Sequence, residues 1–140
     1  MFIEFVNENI WLFLTLAIIF NLLIWVSLKH SIGGANSVSP LQMPALQRKG
    51  KSIIIDVNKE DHYNTSHIPK SLNFPLENLT SDNKALLKHR DSTVIISCQT
   101  GSRSSAASKK LLALGFSDVH VLRGGLMSWS KENLPLTSKV

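Results

Sequence analysis

Cysteine occurs once in this chain of 140 residues. A single thiol excludes an internal disulfide and any metal centre built from a cysteine cluster. Of the histidines, His62, His89 and His120 share no ligand spacing with one another or with Cys98, so no metal and no other cofactor is expected. Lysine and arginine are absent from residues 1–28, which carry two acids, Glu4 and Glu8. All 15 basic residues and the other eight acids fall in 29–140, so the first stretch is −2 and the remainder +7. The basic residues are scattered, with no aromatic-interleaved stripe and no finger motif, which argues against a nucleic-acid partner. No internal repeat is visible. A content of 44% hydrophobic and 18% charged residues excludes a disordered or low-complexity chain. The length allows one domain of ordinary size with an appendage, and not two domains.

What is present divides the chain. From Ile10 to Leu28, 16 of 19 residues are apolar and none is charged; only Thr15, Asn21 and Ser27 interrupt the run. At about 1.5 Å per residue, a helix of this length spans roughly 30 Å, the thickness of a bilayer's hydrocarbon core. Trp11 and Trp25 lie near its ends, where indole rings favour the interface. Residues 1–29 are therefore expected to be an N-terminal anchor, with one transmembrane helix over about 10–28 in contact with lipid. A cleaved signal peptide is not expected, because the N-terminal flank is acidic and no Ala-x-Ala site follows. Lys29 comes directly after the run, and Arg48, Lys49 and Lys51 lie farther on. The positive-inside rule then places the N-terminus outside and the rest on the cytoplasmic side of the cytoplasmic membrane. A free cysteine suits that reducing compartment. Asn21 within the run slightly favours a homo-oligomer through helix–helix contact. Residues 30–38, rich in small residues, are expected to form a flexible linker, and 137–140 a C-terminal tail.

Between linker and tail the pattern alternates. Ile53–Val57 (IIIDV), Thr93–Ser97 (TVIIS) and Val119–Leu122 (VHVL) are short β-branched runs with polar neighbours, the mark of strands buried on both faces. Ser71–Phe74 is a weaker strand. Helical patterns cover Pro40–Arg48, Ser81–Lys88, Ser104–Leu114 with Gly115 as its stop, and Gly125–Glu132. This alternation predicts an α/β domain with a parallel sheet covered on both faces, and ligands at the carboxyl ends of its strands.

Cys98 falls at such an end, followed by Gln99-Thr100-Gly101-Ser102-Arg103 and then a helix expected from Ser104. A thiol facing a helix N-terminus gains from the helix dipole and from backbone N–H groups, which favour the nucleophilic thiolate. Gly101 lets the loop curl so that N–H groups converge on a bound anion or sulfur. Arg103 adds a permanent charge and braces the loop through a carboxylate; Asp56, at the end of the neighbouring strand, is the candidate partner or else a turn former. Ser104 is placed to cap the helix and to donate its hydroxyl to the bound group. A lone cysteine is more often a small buried hydrophobe, but a core residue has no need of this strand–Cys–Gly–Arg–helix order.

Four ordered motifs over residues 39–136 resemble the rhodanese domain: IIIDV (Ile53–Val57), SHIPKSLNFP (Ser66–Pro75), CQTGSRS (Cys98–Ser104) and VLRGGLMSW (Val121–Trp129). With its anchor the whole chain is similar to small membrane-tethered bacterial rhodaneses. The resemblance implies a three-layer α/β/α domain with a parallel sheet of about five strands. It also implies a persulfide on Cys98 cradled by the amides of Gln99, Thr100, Gly101, Ser102, Arg103 and Ser104. It gives His67 a structural role rather than that of a base, while Trp129 reads as a core anchor. The chain departs from the family pattern at Asn58 (often Arg), at Ser66 and Lys70 (Gly), and at Gln99 (often Arg or Lys).

The function expected is a sulfurtransferase that moves a sulfane sulfur from a small donor or a protein persulfide to a thiophilic acceptor. A cysteine phosphatase or arsenate reductase of the same architecture needs five residues between Cys and Arg to surround a tetrahedral oxyanion; here there are four. A tethered module that carries persulfide or docks a partner without turnover is the non-enzymatic alternative. Because Gln99 places no cation beside the nucleophile, thiosulfate is expected to be a poorer donor than a persulfide.

Overall fold

A computed structural model describes residues 1–31 and 35–139, with side chains over 1–26 and 35–139. The chain forms two compact units, Met1–Gly34 and Ala35–Val140.

The first unit is helical: α1 (Phe2–Glu8) and α2 (Ile10–Ser31). Asn9 separates them, its backbone N–H and side-chain amide both donating to the Phe5 carbonyl at 3.1 and 2.8 Å. The polar residues inside the apolar run satisfy themselves. Thr15 donates to Leu12 O at 2.9 Å and Asn21 to Ala17 O at 3.0 Å, so neither leaves its donor unpaired. Apolar side chains of α2 are exposed on every face, as a run without helical periodicity must leave them. Among the described residues no single helix is long and apolar enough to cross a membrane. The expected single span is replaced by a pair, Phe2–Glu8 and Ile10–Val26, bent by 75° at Asn9, which has the length and composition only when taken together. The side chains of Ser27 and Leu28 lie outside the described residues.

The second unit is an α/β domain with five parallel strands: β1 (Asn36–Val38), β2 (Ser52–Asp56), β3 (Leu72–Asn73), β4 (Thr93–Ser97) and β5 (Val119–Leu122). Their order is β1-β5-β4-β2-β3. Helices α3 (Met43–Gln47), α4 (Glu60–Thr65), α5 (Lys84–Leu87) and α6 (Ser102–Ala113) connect them, and α7 (Gly125–Lys131) follows β5. A strand's side chains alternate between faces, and here the alternation sorts the core. Ile55, Val57, Val94, Ile96, Cys98 and Val119 pack with Leu86, Ala107, Leu111 and Phe116 on the α5/α6 side. Ile54, Ile95, Val38 and Leu122 pack with Met43, Leu126 and Trp129 on the α3/α7 side. The result is three layers with an apolar seam on each face of the sheet.

Two boundaries differ from expectation. Residues 36–38, expected as linker, are the edge strand β1, paired in parallel with β5 from Asn36↔His120 to Val38↔Leu122. A short polar stretch becomes a strand there because β5 offers it unpaired backbone, a partner far away in sequence. Of the expected linker, residues 32–34 lie outside the described residues. The C-terminal tail is not free either: Thr137 exchanges backbone hydrogen bonds with His67 at 2.8 Å each way, and the Lys139 N–H donates to Asn64 O at 2.9 Å.

Candidate active site

Parity along β4 decides where the thiol points. Cys98 follows Val94 and Ile96 at two-residue spacing, so it faces the α6 side, and it is 1% exposed. The chain then turns at Gly101, whose φ of 91° lies in the left-handed region open to glycine, and enters α6 at Ser102. This turn brings the Gly101 N–H to 2.9 Å and the Ser104 hydroxyl to 3.2 Å from Cys98 Sγ, both donating to sulfur. The helix therefore begins two residues before the expected start. Gly101 is its N-cap, and Ser104 sits fully buried in the first turn with its hydroxyl committed to the thiol instead of to capping.

The rest of the loop is held from outside. The Leu126 N–H donates to Cys98 O at 2.8 Å and the Met127 N–H to Gln99 O at 3.2 Å. The first residues of α7 thus take up the carbonyls of Cys98 and Gln99, on the far side of the loop from the Gly101 N–H that meets the thiol. Gly125 makes this approach possible. Its φ is 60°, and a Cβ there would lie 2.1 Å from Cys98 O and 2.9 Å from Gly101 N. The motif VLRGGLMSW contains this glycine, but only the folded contact shows that it presses on the cysteine loop. Trp129 is a core anchor as expected, donating from Nε1 to Pro135 O at 2.8 Å.

Not every loop amide faces the thiol. The Gln99 N–H donates to Asn58 Oδ1 at 3.2 Å, so it is withdrawn from the expected cradle. Asn58 is 3% exposed and is itself fixed: its N–H donates to Asp56 Oδ1 at 2.8 Å, and its carbonyl accepts from Asn73 Nδ2 at 2.9 Å. Asn58 is a loop-supporting residue that sequence reasoning left as a mere departure from pattern. The remaining loop residues, Thr100 and Ser102, are exposed and share a side-chain hydrogen bond of 3.2 Å.

Asp56 does not pair with Arg103. Asp56 shares parity with Ile54 and registers with Ser97, so its carboxyl points to the α3/α7 side, whereas α6, which carries Arg103, covers the other. Arg103 is exposed and makes no ion pair among the described residues. Asp56 supports the loop through Asn58 instead. It is fully buried, and its Oδ2 has no hydrogen-bond partner. Burial pushes its carboxyl above the ordinary 3.8, opposed chiefly by the hydrogen bond from the Asn58 N–H. His67 is structural: its Nδ1 lies 2.6 Å from Tyr63 O, and its ring stacks on Tyr63 at 3.8 Å.

Beside the loop lies a cleft of about 340 Å³ whose lining includes Gln99, Leu126, Met127, Ser130 and Lys131. No group of three or more His, Cys, Asp or Glu side chains among the described residues is arranged to hold a metal ion.

Comparison with known proteins agrees with this geometry. The family described as Rhodanese-like domain matches residues 39–132. The adenylyltransferase and sulfurtransferase UBA4 of Saccharomyces cerevisiae is 35% identical over 88 residues, 56% of this chain and 20% of that protein. The uncharacterized protein BU052 of Buchnera aphidicola is 26% identical over 129 residues, 91% of this chain and 86% of that one. Among solved structures, a thiosulfate sulfurtransferase from Pseudomonas aeruginosa superposes with a TM-score of 0.66 at 25% identity, covering 76% of this chain and 21% of that one. Against curated relatives that it matches at 32–38% identity, the chain spans 20–64% of their length.

Proposed function

Because the chain belongs to the rhodanese-like domain family, we propose that it is a sulfurtransferase held at a membrane by its N-terminal helices, with Cys98 as the sulfur carrier. Relatives of its domain include proteins named as sulfurtransferases. The observation that carries the reading is the pair of donors, Gly101 N–H and Ser104 O–H, aimed at one buried sulfur at 2.9 and 3.2 Å. Donors fixed in a site that excludes water stabilise a sulfur anion without reorganising.

In the reaction, the Cys98 thiolate attacks a sulfane sulfur. The donor's leaving group departs with the bonding electron pair, and Cys98 becomes a persulfide. A thiophilic acceptor then attacks the outer sulfur and releases the thiolate for another cycle. The sulfur moves with no net oxidation or reduction. Arg103, exposed at the rim, supplies charge to the approach of an anionic donor rather than support to the loop.

Tethering is supported by the uncharged apolar run and by the length of the match to BU052, which at 129 residues extends beyond the α/β unit. The acidic N-terminal flank and the basic residues after the run favour an external N-terminus and a cytoplasmic domain. The exposed face of α2 offers a surface for self-association in the bilayer. The test of the activity is intact mass of the full-length chain in detergent, after a persulfide donor and then after cyanide. A gain of one sulfur that cyanide removes, absent in Cys98→Ala, is the expected result. Turnover with a thiol acceptor separates an enzyme from a carrier that is loaded once.

A further inference from the structure

Because all five strands are parallel, their amino ends share one end of the α/β unit, opposite the cysteine loop. The connections leading into β2, β4 and β5 meet there, and they carry Arg48, Lys49, Lys51, Lys88 and Arg90 against two acids, Asp91 and Asp118, a net of +3. The connections leading out of the same strands carry Lys59, Arg103 and Arg123 against Glu60 and Asp61, a net of +1. The five bases are exposed and make no ion pair among the described residues. Though apart in sequence, they are gathered by the fold. The Thr93 N–H donates to Lys51 O at 2.9 Å, which joins the entries of β2 and β4. A Cβ on Gly115, just past α6, would lie 3.4 Å from Arg90 Cδ, which joins the entries of β4 and β5. Burial, and after it the Lys88 and Lys51 ammoniums, hold His89 below its ordinary 6.5. Of the two acids, Asp118 is already engaged by the Thr93 hydroxyl at 2.6 Å and by His120 Nε2 at 2.7 Å.

The polypeptide also enters at this end: β1 begins at Asn36, in register with His120 near the start of β5, and the residues before it lead back to the N-terminal helices. We propose that this basic end is a docking surface for anionic phospholipid headgroups, so that the α/β unit stands on the bilayer by its strand amino ends. The inference rests on the tethered reading above and adds to it an orientation and a lipid class. A tether attached beside the patch keeps it near the surface, and a cytoplasmic leaflet attracts juxtamembrane bases through its negative potential. The same connections hold no exposed aromatic residue on which a base could stack, since Phe116 is buried, so lipid fits them better than nucleic acid. Cys98 then lies about 16 Å farther from the headgroups, the rise from Thr93 along β4. Donor and acceptor reach it from the water, not along the lipid.

The test places the full-length chain in nanodiscs of phosphatidylcholine, alone or mixed equally with phosphatidylglycerol, each doped with a lipid that bears a gadolinium chelate on its headgroup. Amide NMR line broadening then reads which end faces the headgroups. With phosphatidylglycerol present, the amides of Lys51, Thr93 and Asp118 are expected to broaden and those of Gln99, Thr100 and Arg123 to stay sharp. Replacing Arg48, Lys49 and Lys51 together by Gln should weaken docking on the order of 100-fold, at about fivefold per charge, and abolish this difference. Exchanging the same residues as Arg48→Lys, Lys49→Arg and Lys51→Arg should keep it, and high salt should remove it. Equal broadening at both ends, stronger broadening at Gln99 and Arg123, or an unchanged pattern in the Gln variant overturns the assignment. So do shifts of the amino-end amides with single-stranded RNA but not with phosphatidylglycerol, which would give the face to nucleic acid. A chain that stays in the nanodisc without preferential broadening sinks the docking surface and leaves the tether standing. A chain that elutes apart from the nanodiscs sinks both.

Discussion

The two units use apolar residues in opposite ways. In α2 they follow one another without period and stay exposed, with Leu16 and Phe20 at 63% and 62% exposure. In the α/β unit they alternate along the strands and disappear into two seams, where Val94, Ile95, Ile96 and Leu111 are all at 0%. Hydrophobicity alone therefore does not foretell burial; a short β-branched run disappears where helices cover both faces of its sheet, as at Val94–Ile96. The polar atoms follow the same division. Those of α2 bond to their own helix, while those of the α/β unit, such as Asn58 and Asn73, bond across long separations and support the site.

The largest effect that breaks this contrast is expected at Gly125. A Cβ there meets backbone on two sides at a positive φ, so Gly125→Ala should cost at least about 3 kcal/mol and displace the cysteine loop. A loop moved by about 1 Å loses on the order of 100-fold in activity, measured as sulfur transfer per folded molecule. Next comes a matched pair of truncations. Leu111→Ala should lower the unfolding free energy of the α/β unit by about 3 kcal/mol, whereas Leu16→Ala should leave it within about 0.5 kcal/mol, both by denaturant titration in detergent. A comparable loss from Leu16→Ala would show that the two units stabilise each other.

Smaller effects probe the polar network. Asn58→Ala removes the acceptor for the Gln99 N–H and should cost about 1–2 kcal/mol with a fall in kcat, since a loop amide is set free. Asp56→Asn tests the buried carboxyl. With its pKa raised by burial, the folded state holds this proton more tightly than the unfolded chain does. Its contribution is therefore fully present below the ordinary value and is lost as pH rises through the raised one. The variant should gain stability relative to wild type as pH is raised from about 4 to about 7, followed by denaturant titration at each pH. Arg103→Ala should be smallest in stability, within about 0.5 kcal/mol, because its side chain is exposed and unpaired among the described residues.

How much of this was legible in the sequence follows the range of the interactions. The strands β4 and β5 run over the residues expected, and β2 is offset by one, because β-branched runs mark strands locally. Cys98, Gly101 and Ser104 lie within one loop and its helix, so their meeting was readable from order and spacing. What was missed depends on partners far away. The three residues of β1 are strand only because β5 lies beside them, and α4 (EDHYNT) buries no residue, so it leaves no apolar period to read. Pairing Asp56 with Arg103 failed on parity: nearness in the sheet was right, but the two side chains belong to opposite faces. Asn58 had no local signal at all, since its partner is 41 residues away.

The lengths of the outermost strands carry a consequence of their own. The sheet ends in β1, three residues, on one side and β3, two residues, on the other. An edge strand is a template on which a second chain can add by backbone pairing, and long flat edges are where sheets polymerise. Edges this short offer an incoming strand too few free N–H and C=O groups to repay its ordering. Of the central strands, β4 lies between β5 and β2, while β2 has β3 beside it only at Ile55 and Asp56. The brevity of β1 and β3 thus limits how far a second chain can extend the sheet along either of these two strands.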